Sequence, residues 1–525
     1  MSYSISRRRA LAGISAAAAL PLVGCAGADD RGQETSSPFA HGVASGDPDS
    51  TSVVLWTRLT GASGNTSGRW QVFRDGDFRE VLAQGTFETD AGRDYTVKVL
   101  ATGLPAGASL YYRFTWEGRH SPIGRTRTLP TGHLDRLGIA IASCSNYVFG
   151  YFNAYQAIAL DEEVDLVLHL GDYLYEYGPD GYGGKVGAAI GREHFPPREI
   201  VTLPDYRQRH AQYRADPQSQ AMHAAHPLVA IWDDHESTNN PWKGGAQNHQ
   251  PETEGDWKER RRVSLQAYYE WMPVREPGPG MRREDYWRHL TFGDLASLIT
   301  IETRHTGRDQ QIRYYAALRD VDSAEDARRF ESEVLGAEGR EMLSSAGKAA
   351  LQDALRDSVE AQRPWRIIGN QVLMARMRAP RLSDEELAAL NITPDHPLYP
   401  EVGRFRTMGE LNLPLSMDAW DGYPRARESI YRMAAEAGAS DLLVLTGDSH
   451  AFWQNALYDD DGRPAGLEIG TSGITSPSGF LSLGAEGAAF MDEILAAHNP
   501  EVIWTNGRTN GYVRLVLNHQ RAVVS

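Results

Sequence analysis

The chain has 525 residues, 41% of them hydrophobic and 23% charged, with a formal net charge of −16. That length can bury more than one core, and the composition is ordinary for a folded globular protein. The acidic balance carries no basic footprint, which argues against nucleic acid as a partner, although an acidic protein still binds phosphate esters when metal ions set the local field.

Ser6-Arg7-Arg8-Arg9-Ala10-Leu11 is a twin-arginine start, and the apolar stretch from Ala10 to Val23 is too short to span a bilayer. Residues 1–25 read as a signal handed to the twin-arginine export machinery, which implies a periplasmic, cell-surface or secreted protein. Leu22-Val23-Gly24-Cys25 resembles a bacterial lipoprotein box, in which Cys25 is acylated and becomes the mature N-terminus. A lipid on Cys25 is the sole membrane contact expected, and residues 26–37 read as a flexible tether. With Cys25 taken by the lipid, Cys144 stands alone, so no internal disulfide is expected.

From residue 38 to about residue 130 the runs SVVLWTRL, RWQVFRDG, YTVKVLATGL and SLYYRFTWEG alternate apolar and polar residues between Gly, Asp and Ser clusters. Short alternating strands at this spacing predict an all-β sandwich of immunoglobulin or fibronectin type. RTRTLPTGHLDR reads as a linker. From residue 136 to 525 β-rich runs alternate with helical stretches such as DWKERRRVSLQAYYEWM and the polar segment from Ala324 to Gln362, which predicts an α/β domain. The Gly-rich stretch from Gly178 to Gly191 reads as a loop, a candidate lid.

Five of these runs end in chemistry. LGIAIASCSN ends at Cys144 and Asn146, and VDLVLHLGDYLY at Asp172 and Tyr175. HPLVAIWDDHESTNN ends at Asp233, Asp234, His235, Asn239 and Asn240. PWRIIGNQVLM carries Asn370 and Gln371, and SDLLVLTGDSHAFW ends at Asp448 and His450. Sites in open α/β sheets form beyond the carboxyl ends of the strands, so parallel strands would deliver these residues to one edge. No G-x-S-x-G elbow, P-loop or zincin helix is present. The mixture of Asp, His, Asn, Cys and Tyr suits a pair of hard cations with one soft thiolate. Gly171 permits a sharp turn, after which Asp172 can bridge two cations and Tyr175 can return to one of them. A phenol ionises near pH ~10, so it coordinates as phenolate only on a strong Lewis acid, for which Fe3+ is the natural candidate. His169, Tyr173 and Tyr177 read as packing or loop residues.

FAHGVASGDPDSTSVVLWTRL, ASCSN, LGDYLYEYG, WDDHESTNN, IGNQVLM, WDGYPRAR, TGDSHAFW, TSPS and GYVRLVL, in this order, resemble the alkaline phosphatase D (PhoD-like) phosphatase/phosphodiesterase family along nearly all of the mature chain. The resemblance implies a four-layer calcineurin-like metallophosphoesterase core behind the N-terminal sandwich. It implies Fe3+ with Ca2+ as cofactors and activity on phosphate mono- and diesters by metal-activated hydroxide. Carried over by motif, Cys144, Asp172, Tyr175 and His450 would hold iron. Asp172, Asp234 and Asp448 would hold calcium, with Asn239 or Asn240 nearby; which of Asp233 and Asp234 points inward is left open. ETRHTGRDQ departs from the family's usual form, so Arg304 is only a candidate for substrate or a supporting role, as are Asn146 and Gln371.

His235 is the expected catalytic group, stabilising the transition state or protonating the leaving alkoxide. A monomer acting as a surface-attached phosphatase is the first expectation. A phospholipase-type phosphodiesterase acting on lipid or cell-wall polymers is the second. A binding lipoprotein whose α/β domain is inert is the third.

Overall fold

Period-two alternation builds the first region of the fold. Ser109–Trp116 buries Leu110, Tyr112, Phe114 and Trp116 on one face and turns Ser109, Tyr111, Arg113 and Thr115 the other way. This strand pairs with Thr66–Phe73, which pairs with Val81–Thr89; Arg119–His120 and Gly124–Arg127 also bond to it, completing a five-stranded sheet. A second layer of Val43–Gly46, Ser52–Arg58 and Thr96–Thr102 covers the apolar face through Val43, Val53, Leu55 and Val97, which pack with Val72, Leu110 and Phe114. The computed structural model describes residues 37–390, 392, 395 and 399–525, so the twin-arginine segment, Cys25 and all of the tether but Ser37 lie outside the described residues.

The second layer does not stop at the end of the N-terminal region. Val43–Gly46 lies parallel to Leu228–Ala230, with Gly46 opposite Leu228. The result is one eight-stranded sheet ordered Ala522–Val524, Val513–Leu517, Leu137–Ala142, Leu166–His169, Leu228–Ala230, Val43–Gly46, Ser52–Arg58, Thr96–Thr102. The all-β region expected over residues 38–130 thus shares a sheet with the α/β region that follows it.

A seven-stranded sheet runs Arg288–Phe292, Ala296–Thr300, Trp365–Gly369, Leu442–Thr446, Pro464–Gly470, Phe452–Tyr458, Val502–Asn506. Its central strands are apolar on both faces, as parallel strands between layers must be. Leu298, Ile367, Leu443 and Leu445 share one core with Ile139, Ile141 and Leu168 of the first sheet. Their neighbours Ile299, Ile368, Leu442 and Val444 face the opposite way and pack on Leu351, Leu355, Ile430 and Tyr431. Those residues belong to the helices Ser345–Glu360 and Pro424–Glu436. The two sheets therefore face each other, with helices outside.

The segment from Gly178 to Gly191, expected as loop, contains a helix over Gly184–Ile190. The polar segment from Ala324 to Gln362 is helical in pieces, Ala324–Arg329, Phe330–Leu335 and Ser345–Glu360. It is interrupted where Gly339 takes a positive φ of 77° that favours glycine. Among the described residues no helix is long and apolar enough to cross a membrane.

Candidate metal centre

Parallel pairing aligns the strand ends. Leu137–Ala142, Leu166–His169 and Leu228–Ala230 run in parallel, as do Ala296–Thr300, Trp365–Gly369, Leu442–Thr446 and Pro464–Gly470. Each strand leaves the sheet in a turn, and the turns use unusual backbone. Gly171 has φ 101°, and Cys144, Asp172, Asp448 and His450 sit at φ 57°, 55°, 57° and 58°. A Cβ at Gly171 would lie 2.3 Å from the Asp233 nitrogen, so this turn requires glycine. Left-handed backbone in non-glycine residues persists only where surrounding structure enforces it, and it concentrates at functional sites. Here Cys144 N donates to Gly171 O at 3.1 Å and Ser145 N to Asp172 O at 2.9 Å, tying the first two turns together.

These turns bring the expected ligands into three overlapping groups, each with potential ligand atoms within 4.8 Å of one another: Cys144–Asp172–His450, Asp172–Asp234–His235 and Asp233–Asp234–Asp448. Asp172 belongs to the first two and Asp234 to the last two, so the groups form a chain with a carboxylate at each junction. Tyr175 joins the first, its hydroxyl donating to Asp172 Oδ2 at 2.8 Å and lying 3.3 Å from His450 Nε2. His450 Nδ1 donates to Pro477 O at 3.0 Å, which leaves the Nε2 lone pair facing Tyr175.

Electrostatics set the character of each group. Burial pushes the Asp172 carboxyl well above its ordinary range, and Asp234 and Asp233 add to this, against the opposing pull of His235. Burial and then Asp418 push Asp448 up to about 7. Burial and then Asp172 raise both the Cys144 thiol and the Tyr175 phenol. Burial lowers His450 to about 4, so its imidazole is neutral and free to ligate. Burial alone would lower His235 as well, but Asp234, Asp172 and Glu176 outweigh it and hold the ring protonated. Carboxylates, a thiol and a phenol crowded together and buried are costly as anions unless a cation shares their space. Asp233 Oδ2 and Asp234 Oδ1 are buried without a hydrogen bond among the described residues. The donor set therefore fits a pair of cations: a S/N/O pocket around Cys144, Tyr175 and His450, and an all-oxygen pocket around Asp234 and Asp448.

A second layer orients these groups. Glu176 is fully buried; its Oε2 accepts from His235 Nδ1 at 2.6 Å, and its Oε1 accepts from Asn239 N at 2.8 Å and Asn248 Nδ2 at 3.0 Å. Tyr175 stacks on the His235 ring at 4.2 Å and 28°. Glu236 accepts from Asp233 N at 2.9 Å and Tyr173 N at 2.7 Å, bridging two turns. Arg304 is fully buried; it pairs with Asp233 through Nε, with Asp418 at 2.8 Å, and reaches Asp448 at 3.5 Å. Gln371 is satisfied by Thr303, Trp232 O and Ile301 O, which makes it a bracket between the two sheets. Asn146 is buried beside Cys144 and caps the following turn through Val148 N, and its Nδ2 has no partner among the described residues. His169 bonds the Tyr155 hydroxyl at 2.8 Å in the core, and Tyr173 bonds His223 at 2.9 Å, both away from the ligand groups.

Glu176, Glu236 and Asp418 were not assigned roles from sequence. Glu176 had one visible signal: a carboxylate four residues beyond Asp172 in a stretch that is otherwise buried and apolar. Asp418 had none, since its partners Arg304 and Arg308 lie more than a hundred positions away. A cavity of about 860 Å³ opens beside Asn240 and Asp418, lined by Trp242, Trp257, Tyr314 and Arg313. On another side Tyr182, from the Gly-rich segment, stacks over His450 at 6.4 Å.

Comparison with known proteins matches this geometry to a family. Residues 139–525 match the PhoD-like phosphatase family and residues 24–130 match its N-terminal domain. The chain is 35% identical over 506 residues to alkaline phosphatase D of Bacillus subtilis (strain 168), covering 93% of this chain and 77% of that protein. A solved structure described as the structure of PhoD superposes with a TM-score of 0.75 at 33% identity, covering 94% of this chain and 90% of that one.

Proposed function

The chain belongs to the PhoD-like phosphatase family and is a phosphoric ester hydrolase, and from that premise we propose that it hydrolyses phosphate mono- and diesters outside the cytoplasm with iron and calcium held at the joined strand ends. In this reading residues 1–25 are a twin-arginine lipoprotein signal with Cys25 acylated, and 26–37 are a tether. Residues 38–130 are an immunoglobulin- or fibronectin-like sandwich, and 136–525 a calcineurin-like metallophosphoesterase core.

One observation carries the reading: Asp172 is common to the group with Cys144 and His450 and to the group with Asp234 and His235, and Asp234 in turn joins Asp448, so a carboxylate stands between a sulfur-bearing pocket and an acidic one, as between two unlike cations. Cys144, Asp172, Tyr175 and His450 would hold Fe3+, because a buried phenol and thiol give up their protons only to a strong Lewis acid. Asp172, Asp234 and Asp448, with Asn239 or Asn240 nearby, would hold Ca2+, which accepts flexible oxygen ligands; Asn240 N donates to Asp234 Oδ2 at 2.9 Å. Asp234 is preferred to Asp233 because Asp233 is bound to Arg304. When bound, such cations neutralise phosphoryl charge and make water nucleophilic near neutral pH.

The chain's own residues supply the rest. Glu176 fixes the His235 ring by its Nδ1–H and leaves Nε2, 3.7 Å from Asp234, turned to the ligand groups. Oriented by Glu176 through Nδ1, His235 would donate a proton to the leaving alkoxide. Arg304 holds Asp233 and Asp418 in register rather than meeting phosphate. Tyr182 shields one side from water, and the cavity beside Asn240 accepts the group esterified to phosphorus. That room favours, as a second reading, diesters with a large lipid or polymer substituent.

Elemental analysis of protein purified after native export, beside hydrolysis of a monoester and a diester with and without calcium chelation, tests the proposal. The expected result is one iron per chain, a visible phenolate-to-iron absorption band and activity lost on chelation. Full activity from a colourless zinc protein overturns the iron assignment.

A further inference from the structure

At the opposite end of the sheets three segments converge. His133 lies in the linker before Leu137–Ala142, Asp294 in the turn between Arg288–Phe292 and Ala296–Thr300, and His519 in the turn between Val513–Leu517 and Ala522–Val524. Their potential ligand atoms all lie within 4.8 Å of one another. Five residues of strand, about 16 Å, separate Asp294 from the turn that carries Arg304.

Several bonds that do not involve the three side chains hold the segments in place, and Asp294 Oδ1 adds one by accepting from Leu134 N at 3.1 Å. Asp294 N donates to Gly132 O at 3.2 Å and Gly293 N to Pro130 O at 3.1 Å. Trp365 Nε1 donates to Asn518 O at 2.7 Å, and the Asn518 side chain accepts from Gln520 N and Arg521 N, both at 2.9 Å. His133 Nδ1 is 2.8 Å from Asp294 Oδ2, and His519 Nε2 is 3.3 Å from Asp294 Oδ1. In a tetrahedral zinc site with bonds of about 2.0–2.1 Å, neighbouring ligand atoms stand roughly 3.3 Å apart, so the present separations need only small side-chain rotations.

Two features distinguish this cluster from a plain ion pair. His519 Nε2 points at Asp294 from short range yet makes no hydrogen bond among the described residues, and the atom is itself covered. The two imidazole rings also lie nearly parallel, 5.0 Å apart at 15°. Protonating both would set two positive charges face to face. One dication replacing both protons keeps the rings neutral and uses the Asp294 carboxylate that lies between them.

We propose that His133, Asp294 and His519 form a peripheral binding site for a divalent transition metal, Zn2+ by ligand type, completed by solvent. Two imidazoles and a carboxylate suit zinc, copper or nickel and not calcium. The ion would link the linker, an edge turn of the seven-stranded sheet and the terminal hairpin of the eight-stranded sheet. It stabilises the fold by binding only the folded state and takes no part in hydrolysis.

The test uses the full enzyme with its own metals, dialysed free of loose ions and then equilibrated with ZnCl2. Wild type should bind one more equivalent of zinc than His519→Ala or Asp294→Asn, and its Tm should rise with zinc while theirs do not. Monoester turnover measured before zinc addition should be equal in all three. Replacing zinc by Co2+ should give wild type alone an additional visible band of low-symmetry cobalt. Equal zinc content in wild type and both variants, or a Tm insensitive to zinc in wild type, overturns the proposal.

Discussion

Two buried polar regions of this molecule have opposite signs. At the carboxyl ends of the strands Asp172, Asp233, Asp234, Glu176 and Glu236 lie within a few residues of one another in space, with His235 and Arg304 as the cations that face them. Where the N-terminal strands meet the helix Leu203–Ala215, Arg214 is fully buried over the Trp56 ring at 4.3 Å, near His41, His210 and His223. None of the Arg214 nitrogens has a hydrogen-bond acceptor among the described residues, and the groups that oppose the effect of burial on it are the phenols Tyr173 and Tyr112. A weakly hydrated guanidinium can rest on aromatic faces. Compact carboxylates have no such refuge. The acidic region therefore calls for bound cations, whereas the basic one is tolerable as packing.

The sharpest way to break that contrast is to remove the junction carboxylate. Asp172→Ala should lower turnover by about 10³-fold or more and release bound iron, measured by kinetics and elemental analysis on the same sample. Turnover retained with iron intact would mean the two groups do not share a ligand. The next effect is smaller. Glu176→Gln keeps the shape but removes one of the three carboxylate charges around His235, the one hydrogen-bonded to its Nδ1. Activity should fall roughly 10–100-fold, mainly in kcat, with metal content unchanged. A loss of metal together with activity would assign Glu176 to the ligand groups instead.

The two regions were unequally legible in the sequence. Cys144, Asp172, Asp234 and His450 could be read because each follows an apolar run, and parallel strands end together. Glu176 stood in plain sight, but its partner His235 is 59 positions away and nothing local announces the pair. The continuity of the N-terminal layer with the main sheet was hidden for a related reason: Gly46 meets Leu228 through backbone bonds, which carry no side-chain signature. The strand Ala296–Thr300, ending before Glu302 and Arg304, is too short to stand out by alternation. The basic region was invisible because Trp56, Arg214 and Trp271, whose ring lies 5.7 Å from that of Trp56 and stacks on His210, come from three distant segments. Cationic residues on a helix such as Leu203–Ala215 ordinarily face solvent.

The basic region yields the smaller effects. Burial, and then Arg214, lower His210 to about 3, while burial and then Arg58 lower His41 to about 3. In the unfolded chain such rings take up protons near pH ~6.5. Between pH 6.5 and 3 the unfolded state therefore binds more protons, and stability falls as pH falls, by at most about 1.4 kcal/mol per pH unit for each ring. His210→Phe removes one such proton site and keeps the ring stacked toward Trp271. Its denaturant midpoint should decline less between those pH values than that of wild type. An unchanged slope would mean that His210 is charged in the folded protein.

Arg214→Met should give the smallest change. Truncating a paired buried charge costs several kcal/mol because the partner is stranded, but no carboxylate is stranded here. The substitution gives up the contact with Trp56, worth up to about 2 kcal/mol, and removes the desolvation cost of an unpaired cation, which is of similar size or larger. Stability at neutral pH should thus stay within about 2 kcal/mol of wild type, or rise, by equilibrium denaturation. Because Arg214 helps to lower His210, the same variant should also lose less stability as pH falls below 6.5, its decline ending at a higher pH than in wild type. A loss of 3 kcal/mol or more would show that Arg214 neutralises an anion, and the junction would then resemble the acidic region in needing an ion to balance it.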